Sequence, residues 1–208
     1  MSPPPNPCQP SPLSRDFFDR PTLKVAKELL GKYLLRETQA GVLHTRIVDV
    51  EAYVGPEDQA SHASRGRTKR TDIMFGPSGF IYVYLIYGMY HCLNLVTERI
   101  DFPAAILIRG IEVIEKDNGR LDVPIRIDGP GRVSRFLEID KNLNGIDATL
   151  GKFIWVEDRG AHVSPKNIQK RTRVGVDYAG PWANKPWRFC LPEEKKSFKS
   201  IRRKTMKK

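Results

Sequence analysis

The amino-acid sequence predicts one mixed α+β domain with a largely antiparallel sheet. Apolar and polar residues alternate over residues 46–54, which is the two-residue period of a strand. Between residues 21 and 31 the apolar residues recur at helical spacing instead. Further strand-like and helix-like segments follow without a regular βαβ repeat. This irregular order favours an antiparallel sheet flanked by helices.

The first helix is predicted to follow Pro21 and to end at Gly31. We expect it to bury one apolar stripe and to carry no chemistry; the stripe consists of Leu23, Ala26, Leu29 and Leu30. Residues 33–38 predict a strand, and residues 42–54 predict the strand that returns beside it.

The returning strand presents candidate chemistry on one of its two faces. Successive side chains of a strand point to opposite sides. Asp49, Glu51 and Tyr53 therefore share one face. The opposite face, expected to pack inward, consists of Val48, Val50, Ala52 and Val54. A carboxylate and an aromatic ring thus project side by side from a rigid element.

A long polar loop follows this strand over residues 55–73. It has almost no large apolar residue, and long ordered loops of this kind are usually functional. A solvated loop whose cations contact only water is the plain interpretation. Phosphate contact is the favoured one, with Arg65, Arg67 and Lys69 as the candidate phosphate-binding residues.

An aromatic hairpin is predicted next, from residues 80–86 and 90–96. The tyrosines along it are as typical of sheet packing as of a binding platform. Tyr87 and Met89 flank a glycine at the expected tip, where they would either cap the hairpin or enter a stack of bases as a wedge. Asn94, on the returning strand, would either satisfy a backbone group or contact an exocyclic group of a bound base.

The second half of the chain predicts a buried strand over residues 104–108. Arg109 is expected to end this strand and to need an acidic or phosphate partner, for which Glu51 is a candidate. Residues 111–116 are predicted to start a helix, and a glycine-rich turn at residues 128–131 to open another. The remaining predictions are strands at residues 153–156, 172–176 and 187–189, with a compact helical turn at residues 177–182.

Composition divides the 208 residues into three parts. We expect a disordered, proline-rich leader over residues 1–14, a catalytic domain over residues 15–193, and a basic disordered tail over residues 194–208. Residues 195–208 hold eight Lys or Arg and no acid, so the tail accounts for most of the net charge of +11. The domain itself is only mildly basic.

The three cysteines show neither a disulfide framework nor a zinc motif, so we expect no metal and a reducing compartment. No P-loop or dinucleotide fingerprint is present, and no apolar run reaches the length of a membrane span. The expected location is the cytoplasm, in association with the nucleoid, or the nucleus if the source is eukaryotic.

Over residues 16–191 the sequence resembles the alkyladenine DNA glycosylases, also called methylpurine-DNA or 3-methyladenine DNA glycosylases. The segments that carry the resemblance are Asp19-Arg20-Pro21-Thr22, Leu29-Leu30-Gly31-Lys32, Val50-Glu51-Ala52-Tyr53, Gly55-Pro56-Glu57-Asp58, His62, Tyr82-Val83-Tyr84, Tyr87-Gly88-Met89-Tyr90, Gly129-Pro130-Gly131 and Gly175-Val176-Asp177-Tyr178-Ala179-Gly180.

This resemblance implies a curved antiparallel sheet with a protruding hairpin that inserts into DNA. It also implies a monofunctional base-excision repair enzyme that binds double-stranded DNA, uses no cofactor and is a monomer. Such enzymes flip a damaged purine out of the duplex and hydrolyse its N-glycosidic bond with water, which leaves an abasic site. The implied substrates are 3-methyladenine, 7-methylguanine, hypoxanthine and ethenoadenine.

Individual roles follow from the same resemblance. Glu51 resembles the catalytic carboxylate, and Arg109 the residue that helps to place it and the water. Tyr87, with Met89 beside it, resembles the intercalating residue. The base-binding residues implied are Tyr53 on one face of the base, His62 and Tyr84 on the other, and Asn94 at its edge.

Two alternative functions remain from the residues themselves. A nucleic-acid-binding module without catalysis would use the same basic loop and aromatic hairpin. A hydrolase of sugars or free nucleosides would need a second carboxylate, which Asp49 or Glu57 could supply.

Overall fold

In a computed structural model, residues 11–86, 88–116 and 119–193 are described. Three α-helices occur in this part of the chain: α1 Arg15–Phe18, α2 Thr22–Leu29 and α3 Pro130–Phe136. Its strands are β1 Tyr33–Thr38, β2 Gly41–Val54, β3 Ile81–Ile86, β4 Tyr90–Val96, β5 Ala104–Lys116, β6 Gly119–Asp128, β7 Ile154–Glu157, β8 Gln169–Arg171 and β9 Arg188–Cys190.

These nine described strands form one open sheet in which the strand pairs are antiparallel. The order across it is β3-β4-β5-β2-β1-β7. The long strand β2 has β5 along one edge, and β1 and β9 in succession along the other. The predicted α+β class and the largely antiparallel sheet are confirmed.

The amphipathic helix α2 begins after Pro21 and ends before Gly31, as predicted. Gly31 has a φ of +84°, a left-handed conformation that favours glycine after a helix. Val25, Ala26 and Leu29 of α2 are fully buried against the sheet. The helix therefore covers the apolar face and contributes no functional side chain.

That apolar face is made by every second residue of the central strands. Because side chains alternate along a strand, one half of the residues fills the core, and the residues between them lie on the opposite face of the sheet. The core set consists of Val50 and Ala52 of β2, Ile81 and Val83 of β3, Leu93 and Leu95 of β4, and Ile106 and Ile108 of β5.

Strand β2 is buried on both faces, whereas a half-buried strand was predicted. Val50 and Ala52 pack into the core as expected, but Ile47 takes the core position predicted for Val48, because a register shift beside Asp49 interrupts the alternation. Asp49 and Glu51 on the other face are only 1% and 0% exposed. Neighbouring arginines and the segment that follows β8 cover this face. The acids are therefore part of the interior rather than of the surface.

The second half of the chain departs from prediction in two places. Arg109 does not end a strand, and residues 111–116 form no helix, because β5 continues to Lys116 and pairs with β6. The polar sequence of β6 did not predict this partner. The predicted strand at residues 172–176 is also wrong: β8 ends at Arg171, and Gly175 has a φ of +75°, which interrupts extended backbone.

The boundaries of the body are only partly described. Pro12 forms a bridge with Glu157, and the N–H of Leu13 donates to Val156 at 2.7 Å, so the chain packs on the sheet before the predicted start at residue 15. Residues 1–10 of the predicted leader and the tail from residue 194 lie outside the described residues. Among the residues that are described, no helix is long and apolar enough to cross a membrane.

Candidate active site

A cavity of about 360 Å³ lies on the face of the sheet opposite the apolar core. Its floor consists of the alternate residues that the core does not use, namely Glu51 and Tyr53 of β2, Tyr82, Tyr84 and Ile86 of β3, Cys92 and Asn94 of β4, and Ala105, Leu107 and Arg109 of β5. His62, from the loop after β2, completes the wall. The predicted catalytic and base-binding residues therefore line one cavity.

Glu51 is a fully buried carboxylate at the floor of this cavity. Its Oε2 accepts a hydrogen bond from the hydroxyl of Tyr53 at 3.0 Å, and its Oε1 accepts one from the backbone N–H of Val174, also at 3.0 Å. The Nη1 of Arg109 lies 3.4 Å from Oε1. Three groups from three different segments thus hold the carboxylate in one orientation.

These neighbours act against the effect of burial on ionisation. Burial raises the pKa of Glu51 above its ordinary value of 4.5, while Arg109, the Val174 amide, the Tyr53 hydroxyl and Arg188 lower it. Arg109 thus favours the ionised form, as expected, but burial is the larger effect. Burial also raises the pKa of Tyr53 well above its usual value, so its hydroxyl stays protonated and remains a donor.

A second acid, Asp49, lies beside Glu51 and Arg109. Arg188 donates to both of its carboxylate oxygens, with the shortest distance 2.6 Å from Nη2 to Oδ2. The Nε of Arg109 is 4.0 Å from the same oxygen, so Arg109 lies between Asp49 and Glu51. Gly110 lets β5 lie close to Asp49 of β2, because a Cβ at position 110 would be only 2.8 Å from the Cβ of Asp49.

The aromatic wall is a connected cluster. The ring of His62 meets the ring of Tyr84 edge-on at 4.5 Å, and its Nδ1 is 3.2 Å from the hydroxyl of Tyr82. Burial, together with the nearby charge of Arg70, lowers the pKa of His62 from 6.5 to about 4. The imidazole is therefore neutral at neutral pH and presents a flat, uncharged surface.

Asn94 is 3% exposed, and backbone groups fix its orientation. Its Nδ2 donates to the carbonyl oxygens of Tyr82 at 3.1 Å and of Cys92 at 3.2 Å. Both amide hydrogens are thus used within the hairpin. The group that Asn94 can offer to a ligand in the cavity is its acceptor oxygen.

The basic loop brings only some of its cations to this site. Arg65 and Arg70 line a second cavity of about 430 Å³, which shares His62 and Tyr178 with the first. The Arg67 guanidinium instead lies 2.8 Å from Asp101, its nearest acid. Lys69 is exposed and lines neither cavity.

The hairpin tip is described only in part. Tyr87, predicted as the intercalating residue, lies outside the described residues. Gly88 has a φ of +66°, and the N–H of Met89 donates to Ile86 at 3.1 Å. The side chain of Met89 is 65% exposed at this turn.

Sequence reasoning missed several groups that shape the site. Arg188 lies in the segment predicted only as a strand at residues 187–189, and Arg70 belongs to the basic loop but is not among its predicted phosphate-binding residues. The Val174 contact comes from a backbone N–H, which leaves no signature in a sequence. A signal did exist for Asp49, because it shares the face of Glu51. Among the described residues, no cluster of three or more His, Cys, Asp or Glu is arranged to hold a metal ion.

Comparison with known proteins gives the family. A model of the methylpurine-DNA glycosylases matches residues 16–195. The chain belongs to the methylpurine-DNA glycosylase family. The resemblance noted from the sequence is thus confirmed, and with it the enzyme class, a DNA glycosylase that hydrolyses N-glycosyl bonds.

Several curated relatives are similar to this chain in sequence over most of its length. A protein of Methanocella arvoryzae is 48% identical over 184 residues, which cover 85% of this chain and 90% of the relative. A protein of Legionella pneumophila strain Corby is 45% identical, with 87% and 94% covered. One of Alkaliphilus oremlandii is 42% identical, with 87% and 96% covered. All three bear the provisional name 3-methyladenine DNA glycosylase.

Proposed function

We propose that this glycosylase flips a damaged purine out of duplex DNA into the aromatic cavity and hydrolyses its N-glycosidic bond with water, leaving an abasic site. The substrates proposed are 3-methyladenine, 7-methylguanine, hypoxanthine and ethenoadenine. One observation carries the proposal: a buried carboxylate, Glu51, lies beside Arg109 at the floor of a cavity walled by flat rings.

Extrusion of the nucleotide is required because a base stacked in a duplex does not expose its glycosidic bond to a group held inside a cavity. Unstacking costs a few kcal/mol, and least at a damaged base. Tyr53 on one face of the base and His62 on the other offset this cost by stacking, worth about 1–3 kcal/mol per base in single-strand binders. Tyr84, whose ring stands at 81° to that of His62, contacts the base through its edge. Met89, exposed at the hairpin tip, and Tyr87, proposed from the sequence as the intercalating residue, fill the space that the nucleotide leaves.

In the proposed chemistry, Glu51 acts as an ionised general base. A water oxygen forms a bond to C1′ of the sugar and transfers a proton to the carboxylate. The bond from C1′ to the base nitrogen breaks, and its electron pair leaves with the base. The negative charge of Glu51 also stabilises the cationic sugar in the transition state, and Arg109 keeps the carboxylate in place at 3.4 Å.

The state of His62 bears on the order of substrates. Alkylated purines that carry a positive charge leave without further protonation, whereas neutral hypoxanthine and ethenoadenine benefit from a proton. With a pKa of about 4, His62 supplies no proton at neutral pH. We therefore propose that 3-methyladenine and 7-methylguanine are released faster than the neutral bases.

The other acids fit a mechanism with one catalytic carboxylate. Asp49 does not line the cavity, and Arg188 holds both of its oxygens. Glu57 is exposed and also absent from the cavity wall. A sugar or nucleoside hydrolase with two carboxylates is therefore less well supported.

Phosphate contact is proposed for the basic loop. Arg65 has the best support, because it lines the polar cavity adjoining His62. Lys69 is exposed on the same loop and Arg67 is already paired with Asp101, so we propose weaker roles for both. The partner is double-stranded DNA, and the enzyme acts as a monomer in the compartment that holds the DNA.

The decisive experiment is single-turnover excision from duplexes that contain 7-methylguanine, hypoxanthine or ethenoadenine. Wild type should release each base, and Glu51→Gln should release none while it still binds the duplex. Glu28→Gln serves as the control, since Glu28 pairs with Arg20 away from the cavity. Release by Glu51→Gln at the wild-type rate would refute the proposal, and so would an inactive wild type.

A further inference from the structure

We propose that Arg173 is a positioning residue for the reaction, because it holds both the ring of Tyr53 and the peptide that binds Glu51. This inference rests on the proposed function. Arg173 does not line the cavity and touches no substrate there. Arg173 acts through Tyr53 and the Val174 peptide, which do line the cavity.

The Arg173 side chain is fully buried and fixed at several points. Its guanidinium pairs with the equally buried Asp58 through two bonds, Nη1 to Oδ2 at 2.5 Å and Nη2 to Oδ1 at 2.9 Å. Nη1 also donates to the carbonyl of Ala52 at 2.9 Å, and Nη2 to that of Trp182 at 3.1 Å. A planar fork with four such bonds has one orientation.

The same guanidinium supports the ring of Tyr53. Its central carbon lies 4.9 Å from the ring centre of Tyr53 and 5.1 Å from that of Trp187. Since Tyr53 lines the cavity and Arg173 does not, the cation contacts the ring from the protein side. The other side of the ring is thereby kept at a fixed height for a base to stack on.

The next residue along the chain links this support to the catalytic carboxylate. The N–H of Val174 belongs to the peptide that follows Arg173 and donates to Oε1 of Glu51 at 3.0 Å. On the other side of the ion pair, Asp58 accepts from the N–H groups of Val54 and Ala60, both at 3.1 Å. The Asp58–Arg173 pair therefore ties the end of β2 to the segment that covers Glu51.

Stability alone is a poor explanation for this pair. Burying two charges costs several kcal/mol per ion, and apolar replacements of buried pairs are often as stable. In addition, the Nε of Arg173 is buried without a partner among the described residues. A residue selected only to fill space would avoid both costs, whereas a planar cation with a fork of donors is well suited to fix a ring and a peptide together.

Arg173→Lys tests the inference, because it keeps the charge but loses the fork and the flat face. We expect the single-turnover excision rate to fall about tenfold to a hundredfold, while the Kd for the lesion duplex changes about threefold or less. The acid limb of the pH–rate profile should move to higher pH, since a displaced Val174 amide stabilises the Glu51 carboxylate less. Tyr53 and the Val174 amide are the two contacts of Glu51 that the variant is expected to loosen. The variant leaves the other groups around Glu51 in place, namely Tyr84, Cys92, Arg109 and Arg188, with Asp49 beside Arg109.

Arg46→Lys is the matched control. Arg46 forms a partly buried pair with Glu112 on the same sheet, and neither residue lines the cavity. Both variants should lose stability, but only Arg173→Lys should shift the acid limb. An unshifted limb in folded Arg173→Lys would overturn the inference, as would an equal shift in Arg46→Lys. If Arg173→Lys does not fold, Asp58→Asn is judged by the same criteria.

A titration of the Glu51 carboxyl group separates this inference from the proposed function. The pKa of Glu51 is followed by carbon NMR, with Glu51→Gln used for assignment, and needs no turnover. An inactive wild type would refute the glycosylase proposal alone. The positioning inference stands if the pKa of Glu51 rises in Arg173→Lys, and fails if it does not.

Discussion

The guanidinium of Arg109 lies 3.4 Å from the carboxylate of Glu51, on the neighbouring antiparallel strand. It also lies 4.0 Å from Asp49, whose charge Arg188 already balances. Two buried acids and two partly buried arginines thus alternate within one cluster. Because the Asp49 charge is matched by Arg188, Arg109 remains available to favour the ionised form of Glu51.

Replacement of Arg109 by Met should shift the acid limb of the pH–rate profile to higher pH. Removing the cation raises the pKa of Glu51 further, and the carboxylate must be ionised to act as a base. The maximal single-turnover rate should also fall, by roughly a hundredfold. The profile is measured on a 7-methylguanine duplex between pH 5 and 9. A limb that stays at the wild-type pH would show that Arg109 does not act on Glu51.

Glu51→Gln should stabilise the fold at neutral pH while it abolishes excision. Because burial raises the pKa of Glu51, the ionised form costs folded-state stability above that pKa, and no such cost exists at low pH, where both states are protonated. The gain should be on the order of 1 kcal/mol at pH 8 and vanish toward pH 4. Thermal unfolding at both pH values measures it. Glu28→Gln, at a partly exposed pair, should show little change, and a destabilised Glu51→Gln at pH 8 would contradict the prediction.

His62 should make the wild type lose stability as pH falls from 6.5 to about 4. Its pKa is lowered in the folded state, so the unfolded chain takes up the proton first and is favoured in that window. The loss is up to about 3 kcal/mol. Urea unfolding at several pH values should show this loss in the wild type, and the free energy of unfolding should depend less on pH in His62→Gln. An equal pH dependence in the two proteins would mean that His62 titrates normally.

Met89→Ala should weaken the complex with lesion duplex without a change in folding. Met89 is 65% exposed at the hairpin tip, so its removal leaves no core cavity and should alter stability by less than about 0.5 kcal/mol. The readouts are the duplex Kd and the single-turnover rate. Leu150→Ala is the control, since Leu150 is equally exposed, at 64%, and lines neither the candidate active site nor the cavities described near it. Equal effects of the two variants would count against insertion of the tip.

Much of the fold was predictable because local patterns specified it. The helical spacing after Pro21 gave α2, and the alternation around Glu51 gave β2 with the correct division into two faces from Val50 onward. Strand β6 and the end of β5 were missed because each forms a strand by pairing with the other. Neither segment has a sequence pattern that predicts a strand by itself. The segment at residues 172–176 misled, since Arg173 is buried as part of an ion pair, Val174 is half exposed, and Gly175 breaks the extended backbone.

For the site, the sequence by itself determined which residue types were present and which face of β2 carried the acids, because side-chain alternation is a local property of the backbone. It also determined the family, through motifs spread over most of the chain. Only the tertiary structure decided that Arg173 supports Tyr53, that Arg188 balances Asp49, and that a backbone N–H of Val174 binds Glu51. Those contacts join residues 120 or more positions apart, and the burial that raises the pKa of Glu51 exists only once the sheet has brought them together.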